Sequence, residues 1–186
     1  LTFDVITGGT ITWTANDSSK TKTISYSTDN GSTWTDITST TTGVSINVIA
    51  GVKVLFKGDN SAYSDYSNYY NSFGGTATFN VYGNIMSLVD STEYERITTL
   101  SLNNQYVFKR LFGGCTGLIS AENLVLPATK LSNGCYLSMF SGCINLTGAP
   151  TLPATTLADY CYTCMFYGCT SLTTAPELPA TTLTQS

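Results

Sequence analysis

A regular spacing in the second half of this 186-residue chain constrains its fold most strongly. The tetrapeptide Leu-Pro-Ala-Thr occurs at residues 126–129, 152–155 and 178–181, a spacing of 26 residues both times. Met-Phe-x-Gly-Cys recurs at the same offset, at 139–143 and 165–169. A unit of this size cannot bury its apolar face alone, so its neighbours must supply the rest of the core. The sequence therefore predicts a stack of short repeats.

The residue types within each repeat predict its local structure. Prolines fix φ and remove amide donors, so the Ala-Pro-x-Leu-Pro-Ala-Thr stretch should contain a short extended strand and no helix. Residues 159–166 carry apolar side chains at i, i+3 and i+4, which predicts one or two helical turns ended by Gly168. Leu, Phe and Cys at fixed positions are typical of leucine-rich repeats. We therefore expect a short right-handed leucine-rich-repeat solenoid.

The first half of the chain has a different period. Every second residue is apolar in segments 11–15, 24–26, 44–48 and 77–81, and Gly, Asn, Asp and Ser separate these segments. Such alternation indicates strands with one buried face. Six or seven strands about ten residues apart favour an antiparallel β-sandwich of the immunoglobulin or fibronectin-III type. The polar segment 60–75 is predicted to be a long loop.

These patterns define a mainly β chain with two parts. Residues 1–83 are predicted to form the immunoglobulin-like sandwich. Residues 84–186 are predicted to form an N-terminal cap followed by the leucine-rich repeats. The apolar side chains of Ile85, Met86, Leu88 and Val89 can cover the first repeat, so we expect a fixed junction.

The repeat pattern resembles a known family. From about residue 100 to 186, Met-Phe-x-Gly-Cys-x-x-Leu-x-x-Ala-Pro-x-Leu-Pro-Ala-Thr-x-Leu-x-x-x-Cys-Tyr is similar to the BspA-like leucine-rich repeats of Bacteroidales surface proteins. The resemblance implies a curved solenoid, export to the cell surface, and adhesion or host interaction. The first half resembles the β-sandwich modules that precede such arrays. Similar repeats also occur in virion proteins of phages that infect gut bacteria.

Composition excludes several classes of function. Histidine is absent, which rules out Ser-His-Asp and Cys-His nucleophiles and imidazole zinc sites. The net charge of −4 and the pI near 4.5 leave no basic surface for nucleic acid. The chain also has no apolar run long enough to span a bilayer. Acidic residues in the repeats are isolated, so we expect neither an enzyme nor a bound cofactor.

The ends of the sequence carry two further expectations. The sequence begins at Leu1 without a signal peptide, and we expect any targeting segment to have been removed or to lie outside it. The last Leu-Pro-Ala-Thr is followed by no polar cap. Since solenoids need their last repeat covered, we expect a longer array or a partner at this end.

The cysteines occupy repeated positions. Cys115, Cys143 and Cys169 share one position, and Cys135 and Cys161 share another with Val107. A position that accepts Val or Cys is most simply a small buried apolar site, which favours stacked reduced thiols. Disulfides are the alternative, because secreted chains with an even cysteine count commonly pair them. A zinc site is the third alternative, and it is disfavoured because the chain has a single Cys-x-x-Cys, at residues 161–164, without a matching second pair. The second cysteine of this motif, Cys164, is expected to face solvent.

A turn motif lies at residues 27–34, Ser-Thr-Asp-Asn-Gly-Ser-Thr-Trp. It resembles the Asp-box of sialidase propellers, where the box lies away from the catalytic site. Asp29 is expected to accept turn amides, Gly31 to supply a positive φ, and Trp34 to pack beneath a hairpin. We therefore interpret the motif as structural.

Aromatic side chains crowd the predicted loop at residues 60–75. Tyr63, Tyr66, Tyr69 and Tyr70 alternate there with Ser and Asn. This composition is typical of recognition loops, since Tyr provides contact area at low entropic cost. We predict these four tyrosines as ligand-binding residues. The alternative is that some of the rings cover the end of the sandwich or the first repeat.

The sequence thus predicts a non-catalytic, extracellular or cell-surface binding or adhesion protein of a gut bacterium. Its partner would be a host or bacterial surface glycan or protein. The alternative function is a structural virion component, a fibre or capsid decoration, of a phage that infects such bacteria.

Overall fold

A computed structural model describes residues 1–66 and 68–181. The chain is mainly β, as predicted; three short 3-10 segments (Ile85–Leu88, Tyr94–Arg96 and Leu102–Asn104) are the helical structure of these residues. Nine strands lie within the described residues: Thr2–Thr7 (β1), Gly9–Ala15 (β2), Thr23–Ser27 (β3), Thr35–Thr38 (β4), Val44–Val48 (β5), Lys53–Lys57 (β6), Asn71–Gly75 (β7), Thr78–Asn84 (β8) and Leu118–Val125 (β9).

The strands form two sheets. One has six strands in the order β4-β3-β6-β1-β8-β9, and the other has three in the order β5-β2-β7. Every neighbouring pair is antiparallel except β8 and β9, which are parallel. Alternate residues are buried, as the sequence pattern predicts: in β2 these are Ile11, Trp13 and Ala15. Rings from the two sheets meet inside, with the centroids of Phe3 and Phe73 4.9 Å apart.

Strand β7 corrects the prediction of a loop over the whole of 60–75. Its sequence, Asn-Ser-Phe-Gly-Gly, carries one large apolar side chain, yet it pairs with β2 and places Trp13 opposite Phe73. Asn71 takes an inward position, where its amide donates to the carbonyls of Lys20 (3.0 Å) and Tyr63 (2.9 Å). Because these bonds replace those to water, a polar residue can occupy a core position.

The predicted helical turns are wrong. Residues 105–114, 133–142 and 159–168 form three equivalent ten-residue runs of overlapping turns. Every fourth residue has a positive φ, including Tyr160 (58°) and Cys164 (53°) within the segment 159–166. A left-handed residue in each turn is incompatible with an α-helix. These segments are therefore not helical, although their apolar spacing predicts helical turns.

Amide direction alternates along these turn segments. Cys135, Leu137 and Met139 donate to the carbonyls three residues earlier. Tyr136 and Ser138, at the alternate positions, donate instead to the next segment, as when the Tyr136 amide bonds to the Cys161 carbonyl (3.1 Å). Half of the backbone donors thus close each turn, and the other half join one segment to the next.

Two columns of aromatic rings follow this backbone ladder. In both columns the successive rings are nearly parallel within the repeats, with interplanar angles of 2–10° and centroids 5.5–5.9 Å apart. This offset stacking is a favoured arrangement of aromatic side chains. The first column contains Tyr63, Phe108, Tyr136 and Tyr162, and the second contains Phe73, Phe112, Phe140 and Phe166.

The first member of each column comes from the first half of the chain. The amide of Tyr63 donates to the Val107 carbonyl (3.0 Å) and that of Phe73 to the Leu111 carbonyl (2.8 Å). Their rings stack on the first turn segment at 6.5 and 5.8 Å. Tyr63, in a loop, and Phe73, in β7, thus make the same contacts with the first turn segment that each turn segment makes with the next.

The two halves also share a sheet and a core. Strand β9 of the first repeat pairs with β8, and buried residues of both halves form one hydrophobic cluster. Ile85, Met86 and Leu88 are fully buried in it, and Val89, the fourth residue predicted to cover the first repeat, packs against it half-buried. The later repeats contribute isolated bridges, such as Ser120 with Gly148, because prolines remove donors there.

Because the columns run through both halves, damage to a repeat should destabilise the first half. Phe140→Ala, in the second repeat, is expected to cost about 3–5 kcal/mol. Both tryptophans lie before residue 84, so urea unfolding followed by tryptophan fluorescence reports on the first half. We expect its midpoint to fall together with the circular-dichroism midpoint. An unchanged fluorescence transition beside a shifted circular-dichroism transition would contradict a shared core.

Two tyrosines of the first column should respond oppositely to loss of the hydroxyl. The Tyr136 hydroxyl is buried without a hydrogen-bond partner, and the first repeat carries Phe108 at this position. Tyr136→Phe should therefore stabilise the protein by about 1 kcal/mol. The Tyr63 hydroxyl donates to the Leu88 carbonyl (2.6 Å), so Tyr63→Phe should cost a similar amount, about 1 kcal/mol. Urea unfolding of the two matched variants measures both signs.

Candidate functional site

The tyrosine-bearing loop, described at residues 58–66 and 68–70, is bonded at several points to the parts of the chain on either side of it. Asn16 contacts it twice, donating to the Asn68 carbonyl (2.7 Å) and accepting from the Tyr70 amide (2.6 Å). On the other side, Asn104 donates to the Ser61 carbonyl (3.1 Å). The loop is therefore held between the β2–β3 turn and the first repeat.

Tyr63 does not fit the prediction of a ligand-binding residue. Its ring is fully buried, 5.6 Å from Trp13 in an edge-to-face contact, and its amide and hydroxyl are both hydrogen-bonded. Burial raises the pKa of its phenol well above the usual value. The ring packs in the first column, where no surface ligand can reach it, so the alternative of a packing role applies to Tyr63.

Tyr69 and Tyr70 lie half-buried beneath cationic side chains. The Lys20 ammonium lies 4.8 Å from the Tyr69 ring centroid, and the Arg110 guanidinium lies 5.2 Å from that of Tyr70. Burial and then a hydrogen bond to Asp65 raise the pKa of Tyr69 to about 12. These cation–π contacts use ring faces that a ligand would otherwise stack on.

Tyr66 remains as the exposed tyrosine of the predicted set. Its side chain is 83% exposed, and its ring meets the buried ring of Tyr106 edge-to-face at 6.0 Å and 69°. The Tyr106 ring lies against Gly134, where a Cβ would come within 2.2 Å of the ring. The Lys109 ammonium lies 5.6 Å from the Tyr106 centroid. Tyr66 is thus an exposed ring with a rigid support.

Tyr106 is not among the residues predicted to form the site. The sequence signal for Tyr106 lies in the equivalent positions of the three turn segments. These positions hold Tyr106, Gly134 and Tyr160, with φ of 55°, 59° and 58°. Glycine between two tyrosines leaves room for a ring from the preceding repeat. An aromatic residue at the start of a turn segment, followed one repeat later by glycine, predicts such a supported ring.

A groove of about 380 Å³ lies between residues 99–102 and residues 130–133. Two hydrogen bonds join its second wall to the backbone of residues 104–106. The Tyr106 amide donates to the Asn133 carbonyl (2.9 Å), and Ser132 donates to the Asn104 carbonyl (2.8 Å). Its walls are formed by Thr99, Leu100, Ser101, Leu102, Lys130, Leu131, Ser132 and Asn133.

The Asp-box turn has the predicted geometry and joins β3 to β4. Asp29 accepts from the Thr33 amide (2.9 Å) and hydroxyl (2.6 Å), and Gly31 has φ of 87°. The Thr33 hydroxyl, the Thr33 amide and Ser27 lower the pKa of Asp29 to about 2. Trp34 packs against the turn and donates to the Gly31 carbonyl (3.1 Å). All carboxylate oxygens of the motif thus serve the turn itself.

All six cysteines are free thiols, and only Cys164 is exposed. Cys143 donates to the Phe112 carbonyl (3.0 Å) and Cys169 to the Phe140 carbonyl (3.1 Å), so these thiols also link adjacent repeats. Burial raises the pKa of Cys115 to about 11 and raises the pKa values of Cys135 and Cys143 further. The buried thiols are therefore protonated at neutral pH and poorly nucleophilic.

Metal-binding and membrane-spanning arrangements are not found within residues 1–66 and 68–181. No three His, Cys, Asp or Glu side chains there are grouped to hold an ion, and no helix there has the length and apolarity to cross a bilayer. The carboxylate of Asp59, for example, is hydrogen-bonded within the chain, where it accepts from the amide (2.7 Å) and hydroxyl of Ser91.

Comparison with family models, curated proteins and solved structures found no match to this chain. Its function is therefore inferred from Tyr66 and its surroundings.

The burial of the thiols predicts their reactivity. In the native protein, one thiol per chain should react rapidly with a disulfide reagent, and Cys164→Ser should abolish that reaction. Unfolding in denaturant should release all six thiols. A count below six in the denatured, unreduced protein would instead indicate disulfides.

Proposed function

We propose that this chain is a non-catalytic binding or adhesion protein that acts outside the cell, at a bacterial surface. In this proposal residues 1–83 are an immunoglobulin-like β-sandwich, and residues 84–186 are a capped leucine-rich-repeat solenoid of the BspA-like type. The partner is a glycan or a protein of a host or bacterial surface. The observation that carries the proposal is the exposed, supported ring of Tyr66.

The surroundings of Tyr66 favour binding. A large ring that is 83% exposed contributes nothing to the core, yet the side chain stands against the rigid ring of Tyr106. Little conformational entropy is lost when such a ring meets a ligand. The other tyrosines of the loop support it, because Tyr63 packs in the core and Tyr69 and Tyr70 fix the loop through cation–π contacts.

Weak individual contacts suit a protein displayed in many copies. Charged residues make up only 11% of the chain, so strong electrostatic attraction to a partner is not expected. Display of many copies on one surface multiplies a weak single-site affinity through the effective concentration. A surface-displayed binding protein therefore does not need a tight individual site.

A binding screen tests the proposal. The chain is presented as a multimer to arrayed glycans and matrix proteins, beside Tyr66→Ala and a control variant, Tyr167→Ala. Tyr167 is 74% exposed and lies in the third repeat, away from the loop. We expect binding that Tyr66→Ala weakens about tenfold, roughly 1.4 kcal/mol, and that Tyr167→Ala leaves unchanged.

Two results would contradict the proposal. Binding that both variants retain would move the site away from Tyr66. No binding to any arrayed partner would argue for the other function, a structural component of a virion.

A further inference from the structure

The third turn segment, residues 159–168, presents a row of unpaired backbone amides. The second segment donates to the third from every other residue, beginning with Gly134 (2.8 Å) and ending with Gly142 (2.8 Å). Among the described residues, the equivalent amides of the third segment have no hydrogen-bond partner. Backbone donors that become buried must be paired, so whatever covers this row has to bring carbonyls at the same spacing. The unpaired amides belong to Tyr160, Tyr162, Cys164, Phe166 and Gly168.

Two of these residues also present an uncovered ring face. Tyr136 and Phe140 are fully buried, because Tyr162 and Phe166 stack on them at 5.9 and 5.5 Å. Tyr162 and Phe166 themselves are only partly buried, and no described ring stacks on their other faces. Both aromatic columns thus reach the surface at the third segment.

An apolar cavity of about 230 Å³ lies on the same face. The two rings line it together with Leu152, Met165 and Leu178. In the first and second segments the residue before the second ring is Leu111 or Met139, and both side chains are fully buried. A further segment of the same kind would bring an apolar side chain of this size to the cavity, where its burial is favourable.

The first segment shows how few groups are needed to cover such a surface. Tyr63 and Phe73, which belong to no turn segment, stack on its rings at 6.5 and 5.8 Å. Their amides bond to the carbonyls of Val107 (3.0 Å) and Leu111 (2.8 Å). Two rings and two backbone bonds are thus contributed from outside the repeats. The third segment requires the complementary set, two rings and two carbonyls.

A second copy of this chain does not offer that set. The carbonyls of its second segment accept from its first segment, and those of its third segment accept from its second. The Val107 and Leu111 carbonyls of its first segment accept from Tyr63 and Phe73. The matching carbonyls must therefore come from a different polypeptide.

We propose that the third turn segment is a docking face for a partner protein that brings a turn segment of the same conformation. The partner segment carries two aromatic residues four positions apart, with Leu or Met directly before the second. Its rings continue the two columns, and the carbonyls before each ring accept from Tyr162 and Phe166. The interface thus continues the one between the second and third segments. It shares no residue with Tyr66 and its support, so docking here is a function additional to ligand binding at Tyr66.

A synthetic peptide tests this docking on the full chain. Its sequence is that of the second segment, residues 133–142, with D-alanine in place of Ser138, whose φ is 53°. A D-residue favours this left-handed conformation. Binding is followed by NMR, under reducing conditions, through the backbone amides of the chain. We expect a Kd of about 1 mM, since a short peptide loses backbone entropy on docking, with exchange of the Tyr162 and Phe166 amides slowed about fivefold.

Matched peptides and variants separate docking from non-specific binding. Proline fixes φ at about −65°, so the Ser138→Pro peptide should bind about tenfold more weakly than the D-alanine peptide. Removal of one ring in a Tyr136→Ala peptide should weaken binding by a similar factor, about tenfold. In the chain, Phe166→Leu keeps an apolar side chain and should weaken binding about fivefold. The neighbouring Tyr167→Ala, at a side chain that is 74% exposed, should leave binding unchanged.

Four results would overturn this assignment. The first is the absence of any amide shift at peptide concentrations up to about 5 mM. The second is equal binding of the D-alanine and proline peptides, since docking requires the left-handed turn. The third is a dimer of the chain that Phe166→Leu dissociates, which would assign the face to a second copy. The fourth is a set of shifts centred on Tyr66 and Tyr106, which would place the peptide at the other surface and leave the proposed binding function standing.

Discussion

Stacking of aromatic rings between adjacent turn segments is the contact on which the rest of this molecule depends. Each ring lies at a fixed place in a segment whose left-handed residues recur every fourth position, so rings of successive segments meet face to face. The amides that do not close turns bond to the next segment. Ring stacking and backbone bonds thus run in parallel, and each holds the other in register. Tyr63 and Phe73 extend both columns into the first half, which makes the two halves one packed body.

Much of the fold follows from spacing in the sequence. The repeat of 26 residues correctly places equivalent residues beside one another, and alternation correctly identifies the buried faces of strands such as β2 and β5. The turn segments could not be predicted, because a left-handed residue at every fourth position gives nearly the same apolar spacing as a helix. The positive φ of Tyr160 and Cys164 could not be predicted either, because a positive φ is usually predicted only for glycine.

The candidate site was predictable in composition but not in arrangement. Tyrosines among Ser and Asn indicate a binding loop, yet composition alone does not tell which rings point outward. Tyr63 is buried because its amide bonds to the Val107 carbonyl and its ring stacks on Phe108, contacts between residues 44 and 45 positions apart. The support beneath Tyr66 depends on Tyr106 and Gly134 meeting across two repeats. Long-range contacts of this kind decide which residue of a loop remains available to a partner.

The alternation of amides along the turn segments gives the stack a polarity. The first and second segments each donate to the segment that follows, and the carbonyls of the second and third segments accept these bonds, as in the bonds from Phe112 to Met139 and from Phe140 to Met165. Such a stack resembles a filament with unlike ends. A further unit can join only in the same orientation, because two stacks brought together head-on would set N–H groups against N–H groups. Head-to-tail order is therefore built into the backbone itself, independent of which side chains decorate it.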